Sequence, residues 1–200
     1  MTTWTFKGSV AALGFMTLTA CEADQGQFNL VSKNTSTAPV TRGVMAGGAV
    51  LVAPSGFCID QASLTSDFLV MMGCDLLGAR AAAGSAPLGL ITISLADTDT
   101  GTLPSAKQIA AASGLKNITT VKATKDIVTF RAVGKIPVGG FSPTHWRGAA
   151  RISNKIAGIA VYGPENGVIT TNAGHDILIK LAETSIQATP KPAKEAPLGN

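Results

Sequence analysis

Charge, aromatic rings and histidine are all scarce in this chain, and each scarcity removes a class of function. Charged residues make up only 14% of the 200 positions, too few for a chain kept unfolded by its own polarity. The pI is near 9.1, yet the net charge is only +4. No run of lysines or arginines builds the basic stripe that a nucleic-acid partner requires, so no such partner is expected. Two histidines and three cysteines exclude a four-cysteine iron–sulfur site and disfavour an all-Cys/His zinc site unless a carboxylate joins it. No metal or other cofactor is expected. Sequence signatures of catalysis are missing as well: there is no P-loop, G-x-G-x-x-G, C-x-x-C or H-E-x-x-H. Neither Ser55 (P-S-G-F) nor Ser85 (A-G-S-A-P) sits in a nucleophile elbow. What is present is apolar: 46% hydrophobic residues and 22 glycines, enough for the core of one domain.

The first 21 residues, MTTWTFKGSVAALGFMTLTAC, place one cation, Lys7, ahead of an apolar stretch from Val10 to Ala20. That order is the pattern of an export signal. The stretch is too short for a hydrocarbon core of ~30 Å, which takes roughly 20 apolar helical residues. Leu18-Thr19-Ala20-Cys21 resembles the lipobox of bacterial lipoproteins. The resemblance implies a diacylglycerol on the Cys21 thiol, removal of residues 1–20 and acylation of the new amino terminus. A buried N-terminal helix with an incidental cysteine is the alternative. One acyl chain anchors only marginally, at ~0.8 kcal/mol per buried methylene, so the three chains of such a lipoprotein imply lasting attachment without a membrane span. The implied location is the cell membrane or the outer membrane, with the domain facing the periplasm; Glu22 leaves the choice of membrane open.

Cys58 and Cys74 remain as an even pair, and in an exported protein such a pair predicts a disulfide. Closing this loop would stabilise the fold by ~3 kcal/mol in the chain-entropy view. Two buried free thiols are the alternative.

Composition divides the chain into a signal (1–20), a polar tether (21–45), a globular part (46–188) and a proline-rich tail (189–200). Within the globular part, Ala49–Ala53, Phe57–Ile59, Phe68–Cys74 and Leu88–Leu95 have the apolar, β-branched character of strands. Asp60–Ser66 suits a turn or short helix, and Ala79–Gly84 a small-residue loop or helical turn. Ser105–Ser113, closed by Gly114, predicts a helix. Two hairpins follow: Ile118–Ala123 with Ile127–Val133 around Thr124-Lys125-Asp126, then His145–Ile152 with Ile156–Tyr162 around Ser153-Asn154-Lys155. Period two places Trp146, Gly148, Ala150 and Ile152 on a packed face and His145, Arg147, Ala149 and Arg151 on a wet, basic one. Asn172 can cap a last helix running to about Gln187, whose apolar stripe of Ile177, Leu178, Leu181 and Ser185 is the expected cover for Trp146. Adjacent strands joined by short turns and covered by helices make an α+β domain with an antiparallel sheet.

The turn Pro54-Ser55-Gly56-Phe57 and the late hairpin leading into a last helix resemble the Mog1/PsbP-like fold, over Ala53–Asp75 and Trp146–Ile186. The chain is also similar to small lipoproteins of alphaproteobacteria. These likenesses imply a binding or accessory module and carry no active site.

Three groups of residues could carry chemistry. His145, Arg147 and Arg151 could line an anion-binding groove, against the simpler reading of a solvated strand face. His175-Asp176 could orient a general base, although both fall in the first turn of the last helix. Asp97 and Asp99 superficially resemble a calcium loop, but the twelfth position is Gln108 rather than Glu. The sequence therefore predicts a lipid-anchored envelope protein acting as a non-catalytic binding or accessory module, with an envelope protein as a candidate partner. An envelope hydrolase or other enzyme without a recognisable signature and a structural subunit of an envelope complex stay open. Replacing Cys21 by Ser is expected to leave the chain uncleaved and without its acyl adduct. Mass spectrometry of the membrane-extracted protein checks this, and maturation of the variant to the wild-type mass would refute the lipobox.

Overall fold

Alternating apolar residues in the middle of the chain build a seven-stranded antiparallel sheet. The computed structural model describes residues 40–79, 85–98 and 102–191. The export signal, Cys21, the tether up to residue 39, most of the Ala79–Gly84 segment, Asp99 and the tail beyond 191 lie outside the described residues. The elements are β1 (Arg42–Val44), β2 (Val50–Val52), β3 (Phe57–Ile59), β4 (Phe68–Gly73), β5 (Leu90–Asp97), α1 (Ala106–Ala112), β6 (Lys116–Ala123), β7 (Ile127–Val133), β8 (Thr144–Ile152), β9 (Lys155–Tyr162) and α2 (Asn172–Ala188). The sheet runs β3-β4-β5-β9-β8-β7-β6, and β1 and β2 form a separate ribbon. The fold is α+β with a C-terminal helix.

Its first face is the main core. Ile59, Leu69, Met71, Ile91, Ile93, Ala157, Ile159, Val161, Trp146, Ala150 and Ile152 pack there with Leu178, Leu181 and Ala182 of α2. The α2 helix is capped by the Thr171 side chain, not by Asn172. Its Ser185 hydroxyl accepts from Val52 N–H at 3.0 Å, and Thr189 Oγ1 accepts from Val50 N–H at 2.9 Å, which ties the helix to the ribbon. Ile177 is only half-buried, whereas His175 is buried. Trp146 is 1% exposed, and its indole N–H donates to the Thr171 carbonyl at 2.7 Å. Gly174 lets α2 begin this close to the ring: a Cβ there would lie 2.7 Å from Trp146 Cδ1 and collide with the Ile169 carbonyl.

The second face departs from the sequence reading of a wet surface. Ala149 packs with Val128, Phe130 and Ala132 under Ala106 and Ala110 of α1. That helix starts on a capping box between Ser105 and Gln108, which satisfies two otherwise orphaned N–H groups. Further along, Val70, Met72, Leu90, Ala160 and Tyr162 form a separate cluster flanked by Phe68, Leu77, Val138 and Phe141. His145 is fully buried. Of the four β8 residues on this face, only Arg147 and Arg151 keep partial exposure.

Two boundaries also differ. Arg42–Val44, placed by composition in the tether, pair with β2. The second hairpin closes with Ile152 opposite Lys155, so its turn is Ser153-Asn154 rather than three residues, and Ser153 adopts φ 58. At the sheet edge, β6 is broken by two register shifts with Asn117 and Thr120 at φ 51. Such bulges twist an edge away from unwanted pairing.

Cys58 and Cys74 form a disulfide with 4.9 Å between their Cα atoms. It clips β3 to the residue just past β4, beside the pairing of Cys58 with Met72. Trp146→Ala is expected to cost about 3–5 kcal/mol, the usual range for emptying a buried aromatic site. Urea unfolding measures it; an unchanged midpoint, with a red-shifted native emission in the wild type, would contradict the packing.

Candidate functional site

Between the two clusters of the second face the sheet stays partly uncovered. In the strand register, Arg147 lies beside Ala160 and Ala160 beside Thr92. In the next row Ala149 lies beside Gly158 and Gly158 beside Ser94. Thr92, Gly158 and Arg147 are half-buried and Ser94 is exposed. A Cβ built on Gly158 meets only Ser94, its hydroxyl at 3.1 Å. Among the described residues nothing else lies within 4 Å of that position, and a glycine inside a strand often marks a place where a ligand or another backbone approaches closely. Among the described residues this strip of small side chains forms a shallow trough, with Arg147 in the adjoining row.

Arg147 is held on two sides. Its Nε–H donates to His145 Nε2 at 2.8 Å, and Nη2 donates to the Tyr162 hydroxyl at 2.7 Å. His145 Nδ1 lies 2.8 Å from the Pro143 carbonyl. These partners settle the tautomer, because the carbonyl can only accept and the guanidinium can only donate: Nδ1 carries the proton and Nε2 is the acceptor. The His145 and Tyr162 rings lie 4.5 Å apart, and the guanidinium carbon stands 5.3 Å from the Tyr162 centroid. Burial, reinforced by the Arg147 charge, lowers the His145 pKa to about 4. Burial also pulls the Arg147 guanidinium below its usual value and pushes the Tyr162 phenol up; Arg147 and the Thr92 hydroxyl, bonded to the phenol, oppose that rise. Among the described residues no carboxylate pairs with Arg147, so its charge is met only by neutral acceptors.

The other candidates are placed elsewhere. Arg151 pairs with Asp126 at 3.4 Å, beside the β6–β7 turn and away from Arg147. Asp97 pairs with Lys155, while Asp99 lies outside the described residues. No group of three or more His, Cys, Asp or Glu able to hold a metal occurs among the described residues. His175 Nδ1 is 3.4 Å from Asp176, and its Nε2 is 3.1 Å from Thr129 Oγ1. The ring stacks obliquely on Trp146 at 5.0 Å, so this histidine is a packed residue of the first face. Tyr162, Thr92, Ser94 and Gly158 were not legible as site residues. Their signal is the period-two row on β5 and β9, which needs the hairpin register.

No protein-family model matches the chain, and no curated protein sequence is similar to it. Among solved structures, a point mutant of the protein Mog1 aligns with 73% of this chain and 92% of its own, at 13% identity and a TM-score of 0.44. The Saccharomyces cerevisiae Ran-binding protein Mog1p aligns with 76% and 94%, at 12% identity and a TM-score of 0.44. These neighbours are Mog1 proteins, the fold group that the Pro54–Phe57 turn and the late hairpin resemble. At such scores they carry no part of the functional reading.

The His145 environment has a consequence for stability. Its folded pKa, about 4, lies below the ordinary value of ~6.5. The neutral ring therefore contributes fully above pH 6.5, and that contribution is lost as pH falls towards 4. Between pH 7 and pH 4.5 the unfolding free energy, read from urea titrations, should fall more for the wild type than for His145→Gln, by roughly 2–3 kcal/mol. Equal drops would mean that the ring is not held neutral.

Proposed function

We propose that this chain is a lipid-anchored cell-envelope protein whose domain faces the periplasm and serves as a non-catalytic binding module. The observation that carries the binding role is Arg147: half-buried, held in place by His145 and Tyr162 beside the trough, and without a carboxylate partner among the described residues. A fixed cation of this kind suits recognition. Catalysis is less well supported, because both nitrogens of His145 are engaged and both of His175 have neighbours. The envelope location rests on the likeness of Leu18–Cys21 to a lipobox and is supported by the Cys58–Cys74 disulfide, which suits an oxidising compartment. No helix of the described residues is long and apolar enough to cross a membrane.

A second reading, a structural subunit docked on an envelope partner, is favoured by the exposed side chains Leu76, Leu88, Ile136 and Val168. They follow β4, precede β5, follow β7 and follow β9 respectively, and so share one end of the sheet. Protease added to spheroplasts should digest the domain while leaving cytoplasmic proteins intact, and Cys58 and Cys74 should resist alkylation until reduced. A protected domain with two freely alkylated thiols would overturn the location.

A further inference from the structure

We infer that the trough on the second face binds a small oxyanion, a carboxylate or phosphate group, with Arg147 as the principal ligand and the Thr92 and Ser94 hydroxyls beside it. This deepens the binding role proposed above and is independent of anchoring or location. Arg147 uses two of its five N–H groups on His145 and Tyr162. The remaining donors form the planar edge that matches two oxygens of a carboxylate or phosphate. Its neutral partners matter here. A carboxylate partner would cancel the charge, whereas His145 Nε2 and the Tyr162 hydroxyl hold the guanidinium in place and leave its charge for a ligand. Tyr162, bonded through its hydroxyl to Thr92 as well as to Arg147, links Arg147 to the β5 side of the trough. Gly158, with only Ser94 near its missing side chain, leaves the floor free for the body of the ligand. The strands on either side are apolar: Phe68 and Val70 of β4, and the buried Val128 and Phe130 of β7. A compact anion with a short apolar body fits this setting better than a highly charged polymer.

The test uses the full chain, isotope-labelled, in uncharged maltoside micelles. It is titrated with inorganic phosphate or succinate and compared with sodium chloride at matched ionic strength. The Arg147 Nε–H and the Thr92, Ser94 and Gly158 amides should shift saturably with at least one of the two oxyanions, and chloride should not reproduce the shifts. Whichever oxyanion binds more tightly identifies the source. Arg147→Gln should weaken binding about tenfold or more, the expected loss of a charge-assisted hydrogen-bonded contact. Gly158→Val should weaken it comparably by filling the floor, with the Arg147–His145 hydrogen bond still visible. If Arg147→Gln fails to fold, Gly158→Val decides. Shifts that follow ionic strength alone, that spread over surface lysines, or that persist in a folded variant overturn the inference.

Discussion

A seven-stranded sheet has two faces to cover, and the described chain supplies only one long helix for them. That helix, α2, lies with the β1–β2 ribbon on the first face, where Trp146, Ile159, Ile93 and Leu178 are all excluded from water. The second face must be covered in pieces: α1 over β7 and β8 at one side, and Leu77, Val138 and Phe141 at the other. Buried apolar area contributes roughly 25 cal/mol per Å², so each piece stabilises its own patch of strand. Neither piece reaches the middle of β9. Among the described residues, small side chains occupy that gap, and Arg147 stands in the adjoining row.

The gap also explains the electrostatics. A cation drawn partly out of water loses solvation that must be replaced by fixed acceptors. Here the acceptors are neutral, a histidine locked in one tautomer by the Pro143 carbonyl and a phenol that is itself hydrogen-bonded. They orient the guanidinium without cancelling its charge. Burial keeps His145 from taking up a proton near neutrality, and the Arg147 contact adds to this, because an imidazolium would lose its acceptor nitrogen and face Arg147. Burial and the neighbouring cation together keep the ring neutral, and the neutral ring in turn holds the guanidinium in place.

Strand periodicity made much of the fold legible. The α+β class, the paired cysteines, the helix after Pro104, the burial of Trp146 and the apolar stripe of Leu178, Leu181 and Ser185 all follow from local pattern. The site was only half legible. Reading the β8–β9 turn as Ser153-Asn154-Lys155 would set Ile152 opposite Ile156 and put Tyr162 on the face of Trp146. The actual two-residue turn pairs Trp146 with Val161 and so brings Tyr162 to the face of His145 and Arg147. A slip of one residue exchanges the faces of a whole strand, and Ser-Asn lacks the glycine that usually marks so tight a turn. The burial of His145 was illegible for a different reason: its cover comes from segments distant in sequence, and alternation shows that a residue is on the second face without showing what packs there.

The central claim is that a neutral His145 accepts from Arg147 and so fixes an uncompensated guanidinium beside the trough. Long-range nitrogen–proton correlation spectra of the labelled protein near pH 7 test it most directly, since they report which imidazole nitrogen is protonated and which accepts. The account predicts a protonated Nδ1, an unprotonated Nε2 and an Arg147 Nε–H that exchanges slowly with water and is scalar-coupled to Nε2. A protonated Nε2, with a fast-exchanging Arg147 Nε–H, would contradict it.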